Sequence, residues 1–410
     1  MGVVCPLGKG VAAFREALHG MSAPIAAIPV HWATFWNAKS SWWAPLPPEW
    51  IQSPTISSVE AKQLDPVVVL AMEASREAME MAGIPAESPS GGVFYGTACG
   101  GLVSVLRNHI NHLPETRPNL LGEPVARYNP FAVSMVMLNA TAGTLSNKFK
   151  IHGPSRSFVS SCTSSTVAIG NAMRALQAGE VEWCIAGGTE YLVDETGCLY
   201  RGFDVAATLT RIQDPTRCNR PFDRDRNGFL FAAGGAASLV LEREEHALAR
   251  GAEVLAWLDG YAENCDAHSP MAPQPEGEFI RQCVRSSLGD AGVSARGIDA
   301  ISAHGTGTVA NDAVEGEMIR DLFPHRPLVT TTKSLMGHLL GASGAVETVA
   351  SVAMLQGGFV HGMPALENPS LDLNFAVRTT ASPIGRMAKF SFGFGGHNAV
   401  LILSRKEASP

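Results

Sequence analysis

Four short stretches of this chain concentrate residues able to do nucleophilic and acid–base chemistry. The first is Ser157-Phe-Val-Ser-Ser-Cys162-Thr-Ser-Ser, preceded by Gly153-Pro154. A β-like run ends there in small hydroxyl residues and gives way to a helical pattern, which puts Cys162 at or near a helix N-terminus. Unpaired backbone N–H groups and the positive end of the helix dipole favour a thiolate at such a place. Small neighbours leave room for an acyl group and for backbone donors to an oxyanion. A buried structural cysteine fits the same stretch. The second stretch, Ala303-His304-Gly305-Thr306-Gly307-Thr308, follows a strand-like run at 298–302 and suits a loop that approaches a ligand closely and hydrogen-bonds it. The third, Lys333-Ser-Leu-Met-Gly337-His338, precedes a small-residue helix that contains Glu347. Two neutral imidazoles can stabilise one developing enolate oxygen; a nearby lysine could hold one of them in a defined state, with Glu347 balancing its charge. The fourth, Phe390-Ser-Phe392-Gly-Phe394-Gly-Gly-His397-Asn398, suits either a mobile apolar wall with exposed N–H groups or a plain turn before a final strand at 399–403. No one stretch decides the matter. Together Cys162, His304 and His338 form a set capable of acyl transfer. His19, His109, His112, His246, His325 and His361 lack such surroundings and read as core or surface histidines.

These residues need elements to hold them. Short apolar runs alternate with helical patterns (67–82, 92–96, 162–179, 183–187), and no low-complexity linker interrupts them, so layered α/β architecture is expected. Residues 162–179 also line up with 341–358 at an offset of 179, with Ser, Val, Leu, Gln and Gly in common. A β-like run precedes each segment, and each reads as a small-residue helix that stops at glycine. Such matches among small residues are compatible with chance as well as with duplication. One stretch stands apart: residues 31–50 hold five of the seven tryptophans together with Pro45, Pro47 and Pro48. Prolines so close together exclude a regular helix and favour an extended loop. Its indoles could tuck it onto the protein, or present a lid or contact surface.

Composition narrows the function classes. The chain has 410 residues, 46% hydrophobic and 17% charged, with a formal net charge of −7. That balance argues against nonspecific nucleic-acid binding. Eight cysteines include no C-x-x-C pair and no Cys/His cluster with metal-ligand spacing, so no metal is expected and the thiols read as reduced. No apolar run approaches the ~18 residues of a membrane span, and no signal pattern opens the chain. A cytoplasmic protein with no membrane association is expected.

The SSC turn at Cys162, AHGTGT, KSLMGH and FGFGGHN occur in the order found in elongating β-ketoacyl–acyl-carrier-protein synthases, and the chain resembles that family over nearly its whole length. Smaller matches lie at 187–190 (GGTE), 220–223 (RPFD) and 239–242. The resemblance implies a thiolase fold, with two similar α/β halves (1–243 with the nucleophile, 244–410 with the histidine pair) in a five-layered α-β-α-β-α structure. It implies Cys162 as the acylated nucleophile, and His304 and His338 as the pair that supports decarboxylation of malonyl-carrier protein. Lys333 would organise His338, with Glu347 as its ion partner. The N–H groups of Cys162 and Phe394 would form the oxyanion hole, Thr306 and Thr308 would contact phosphopantetheine, and Phe392 and Phe394 would gate the acyl group. No resident cofactor is implied, since phosphopantetheine arrives on the carrier protein. Arg127 and Arg211 stand in segments similar to those near the tunnel mouth and are candidates for docking that acidic partner, although solvated surface arginines fit equally. A homodimer, or a heterodimer with a related subunit, is implied. A non-catalytic subunit of the chain-length-factor type is the alternative, but such subunits lack the nucleophilic cysteine. A thiolase would use a second cysteine as base, against the His/His pattern here. Three features depart from the family: a start without most of the usual first strand, Ala232-Ala233-Gly234 in place of Gly-Glu-Gly, and the tryptophan-rich stretch.

Overall fold

The computed structural model describes residues 1–53, 55–84, 90–111 and 129–405. Its centre is a pair of helices, Ser164–Gln177 and Ser343–Gly357. Both are rich in small and apolar residues on every side; in the second, each residue from Ser343 to Leu355 is buried. A helix of that kind has no solvent face and must be covered all round. The two pack against each other between two sheets.

The first sheet runs in the order Gly8–Lys9, Gly2–Cys5, Gly234–Glu242, Trp183–Tyr191, Gly91–Gly96, Ser155–Phe158. The second runs Trp257–Cys265, His397–Ser404, Arg386–Gly393, Ala300–Ser302, Leu328–Thr330. From Gly2–Cys5 onward the first sheet pairs antiparallel, antiparallel, parallel, parallel, and the second repeats that plan strand for strand. The helices Pro66–Ala82 and Ala140–Phe149 cover the outer face of the first sheet, and Glu278–Asp290 with Val309–Leu322, which shares its core cluster, that of the second. The result is the expected five-layered α-β-α-β-α stack.

The sequence echo coincides with this repeat. The central helices start at Ser164 and Ser343, and the 3-10 turns before them at Ser161 and Leu340, 179 residues apart in both cases. Ser161 (φ 56°) and Leu340 (φ 47°) both adopt the left-handed conformation that non-glycine residues avoid. Cys162 and Gly341 follow them at matching positions.

The tryptophan-rich stretch is more ordered than the extended loop expected of it. It contains 3-10 turns at Val30–Thr34 and Pro48–Ile51 and a strand, Trp42–Ala44. Pro47 and Pro48 sit at the start of a turn, where a missing N–H costs nothing. The strand pairs with Ala26–Ala27 and with Phe231–Ala232, and Ala233 N–H donates to Ala44 O at 2.8 Å. The Ala232-Ala233-Gly234 departure is therefore where the tryptophan segment docks. Trp32 is fully buried against Trp36, Trp43 and Tyr200.

Gly170, midway along the Ser164 helix, faces Tyr261 of the second sheet so closely that a Cβ would overlap the ring. Alanine gains roughly 1 kcal/mol over glycine in an open helix, whereas overpacking costs roughly 1–3 kcal/mol. Gly170→Ala should therefore lower stability by about 1 kcal/mol in a denaturant titration. A rise in the midpoint would mean that the two layers are not in contact there.

Candidate active site

The left-handed Ser161 turns the chain so that Cys162 enters the cavity at the mouth of the Ser164 helix. Its Sγ lies 3.0 Å from His338 Nε2. The His304 and His338 rings are 5.5 Å apart, edge to face at 84°. All three residues line one cavity of about 300 Å³. The candidate nucleophile and both imidazoles singled out from sequence thus meet in one place, 176 residues separating Cys162 from His338.

Lys333 sits elsewhere than expected. Its Nζ lies 3.3 Å from His304 Nδ1, while His338 Nδ1 is 2.9 Å from Ser343 Oγ. The physical reason is the short helix Lys333–Met336, which ends in Gly337 (φ 74°) and separates the two side chains. Lys333 thus contacts His304, and Ser343 is the group beside His338 Nδ1. The expected pairing of Lys333 with Glu347 is present and fully buried.

This arrangement defines the protons. An ammonium can only donate, so Lys333 makes His304 Nδ1 an acceptor and leaves the proton on Nε2, facing the cavity. Ser343 Oγ already accepts from Leu339 N–H at 3.1 Å. Its hydroxyl can then donate to His338 Nδ1 or accept from it, which permits either tautomer. Burial, then the charge of Lys333, holds both imidazoles well below their ordinary value and hence neutral. Burial pushes the Cys162 thiol up; Ser161, Lys333 and the backbone N–H of Phe394 oppose this.

The glycines beside Phe392 and Phe394 permit a close approach. A Cβ on Gly393 would stand 3.2 Å from Cys162 N, so the Phe392-Gly-Phe394 backbone runs directly against Cys162, with the Phe394 N–H beside its thiol. Phe392 is buried with its ring 5.9 Å from His304. Phe392, Phe394, Thr306 and Thr308 all line the cavity, and the two threonine hydroxyls are 2.9 Å apart. Among the docking candidates, Arg211 is exposed and its N–H donates to Asn227, a cavity-lining residue, at 3.1 Å; Arg127 lies outside the described residues. Among the described residues no cluster of His, Cys, Asp or Glu could hold a metal, and no helix is long and apolar enough to cross a membrane.

Sequence reasoning missed the groups that hold the loops. Glu315 accepts the N–H groups of His304 and Gly305 at 2.7 and 2.8 Å, and Asp312 those of Phe222 and Gly307. Burial pushes Glu315 up to about 7. Glu190 accepts N–H groups from Ala98, Cys99 and Gly341, joining the two repeats beside the nucleophile. Acidic residues eight and eleven positions after a glycine-flanked histidine, on a helix, were the signal for the first pair. Lys389, fully buried next to Glu347, was also missed; nothing in its strand-like surroundings marks it.

Comparison with known proteins agrees with this geometry. Residues 1–247 match the beta-ketoacyl synthase N-terminal domain, and residues 255–367 match its C-terminal domain. The chain belongs to the β-ketoacyl synthase family. This synthase is 33% identical to 3-oxoacyl-[acyl-carrier-protein] synthase 2 of Coxiella burnetii, over 99% of the chain and 97% of that protein. It is 36% identical to 3-oxoacyl-[acyl-carrier-protein] synthase 1 of Escherichia coli over 67% of each. In three dimensions it is similar to a beta-ketoacyl synthase from Burkholderia phymatum (TM-score 0.88, 27% identity, 99% of this chain and 98% of that one). It is also similar to the ishigamide ketosynthase/chain length factor (TM-score 0.85, 27% identity, the same coverage). The chain is thus a condensing acyltransferase with a thiolase fold.

Because His304 and His338 are held below their ordinary value, neither ring should gain a proton as the pH falls through 6.5. Imidazole 15N shifts should stay in the neutral range at pH 6. A ring that titrates near 6.5 would show that it reaches solvent.

Proposed function

We propose that this synthase carries out decarboxylative Claisen condensation of an acyl thioester with malonyl-acyl carrier protein, in fatty-acid or type II polyketide or polyene synthesis. The observation that carries the reading is the 3.0 Å contact between Cys162 Sγ and His338 Nε2, with His304 at the same cavity.

In the first stage Sγ attacks the acyl carbonyl. The thiol proton passes by way of His338 to the departing phosphopantetheine sulfur, and the acyl group stays on Cys162. In the second, the C–CO2 bond of the malonyl group breaks and CO2 leaves. The electron pair moves onto the thioester oxygen, where the Nε2–H groups of His304 and His338 stabilise the enolate. The enolate carbon then attacks the acyl-Cys162 carbonyl. The N–H groups of Cys162 and Phe394 hold the oxyanion until it collapses and releases the cysteine sulfur, which takes a proton from His338 Nε2, replaced in turn from solvent. Thr306 and Thr308 guide the phosphopantetheine arm, and Phe392 and Phe394 gate the acyl chain. Pairing both substrates in one cavity supplies the entropic part of the rate.

The partners follow from the surface. Arg211 beside the cavity wall suits an acidic carrier protein. Phe131, Val133, Met137 and Leu138, around the helix Ala132–Val136, are exposed, as is Val159 at the end of the open edge strand Ser155–Phe158. An edge with no partner strand among the described residues, and with apolar neighbours, suits a second ketosynthase-like subunit, identical or related. We place the division between the two halves at residue 243.

Incubation with acyl-carrier proteins should add the acyl mass to the Cys162 peptide, and Cys162→Ala should abolish it; acylation that survives the substitution sinks the assignment. Arg211→Glu should raise KM for carrier-bound substrate several-fold with kcat unchanged, a rim-charge effect. An unaltered KM removes Arg211 from the docking patch.

A further inference from the structure

Lysine is almost never fully buried unless paired, and this site buries two. The side chains of Lys333, Lys389 and Glu347 are each at most 1% exposed. Glu347 Oε1 meets Lys333 Nζ, and Oε2 lies 3.1 Å from Lys389 Nζ. Two ammonium groups thus share one carboxylate directly behind the imidazoles, and the chemistry described so far uses only one of them.

Lys389 is also tied to two other elements. Its Nζ donates to Thr166 Oγ1 at 2.6 Å and to Ser391 Oγ, and those hydroxyls are 2.9 Å apart. Thr166 stands four residues after Cys162, on the nucleophile's helix. Ser391 directly precedes Phe392. The ammonium therefore joins the nucleophile helix, the strand that carries the phenylalanine gate and the helix that carries Glu347. Its charged neighbours are Glu347 and Lys333 at hydrogen-bonding range of this cluster, with Glu315, His304 and His338 acting through space. Burial lowers Lys389 to about 8, so it carries its charge at neutral pH.

Resting on the condensing reading above, we propose that Lys389 is a positioning residue for the decarboxylation stage: by occupying one oxygen of Glu347, it leaves Lys333 free to hold His304 Nδ1. Without Lys389 the carboxylate turns both oxygens to Lys333 and draws it from the imidazole. His304 then loses both its fixed tautomer and a nearby positive charge. Loss of that charge makes the ring easier to protonate, so the acid limb of decarboxylation moves to higher pH. Cys162 acylation, which depends on His338 and Ser343, is left intact.

The test measures the two stages separately in the full-length enzyme. Cys162 acylation is followed by mass spectrometry and CO2 release from malonyl-carrier protein is followed as a function of pH. Lys389→Met should acylate within about twofold of wild type yet release CO2 about tenfold more slowly, a part of the 10²–10⁴ that a positioned acid–base group contributes. KM for the malonyl substrate should hold and the acid limb should rise. Because Lys389 acts through Glu347, adding Lys389→Met to Glu347→Gln should cause no further loss. Equal loss in both stages, an unmoved acid limb or wild-type rates would each overturn the proposal. Should Lys389→Met fail to fold, Ser391→Ala and Thr166→Val, which loosen the ammonium and keep its charge, decide it: selective slowing of CO2 release supports the proposal and unchanged rates refute it. A wild-type enzyme that never acylates Cys162 would instead sink the condensing reading itself.

Discussion

The closeness of the two central helices is the constraint on which the site depends. Gly344 packs so tightly against the Ser164 helix that any side chain would collide with Thr166, and Ser165 Oγ accepts Ala345 N–H at 2.9 Å. Only small residues allow two helices to approach like this. The approach brings the turns at Ser161–Thr163 and Leu340–Ala342 into contact, with the positive ends of two helix dipoles converging on one point. Negative charge that develops on a sulfur or oxygen there meets a field already in place, with no reorganisation needed during reaction. Gly341, at the position that matches Cys162 in the repeat, has no room for a side chain, since a Cβ there would collide with Ala98 and Glu190.

Around this crossing the interior carries more ionisable groups than a core normally accepts. An isolated buried ion costs several kcal/mol even after relaxation, so each must be matched. Glu315, Asp312 and Glu190 are matched by backbone N–H groups and thereby fix the loops that carry His304, Gly307 and Ala98. Lys333 and Lys389 are matched by Glu347 and hydroxyls. The same burial that makes these groups costly keeps the imidazoles neutral, which is the state in which they can donate to an enolate.

Much of this was legible in the sequence because the reactive residues lie at element ends, where glycine and small hydroxyl residues leave a mark. Cys162, His304, His338 and Lys333 all carry such flanks. The helical echo at 179 residues was visible too, since both copies must be small for the same packing reason. Pairings across the fold were not legible. Periodicity says nothing about which imidazole a lysine reaches; the resemblance pairs Lys333 with His338, whereas the turn at Gly337 leaves it beside His304. Lys389 sits in an apolar strand pattern, where a charged residue reads as an interruption rather than as a partner for Glu347. The docking of the tryptophan segment on Phe231–Ala232 is likewise a contact between distant strands, which no local signal encodes.

The split of the chemistry between the two repeats has a consequence for the life of the molecule. During synthesis the ribosome delivers the thiol of Cys162 long before the imidazole of His338, 176 residues later. A nascent chain therefore carries the thiol without the imidazole that stands 3.0 Å from it in the folded protein and can take its proton. Reactivity arrives only when the second repeat folds onto the first, so an incomplete chain is inert rather than wrongly acylated.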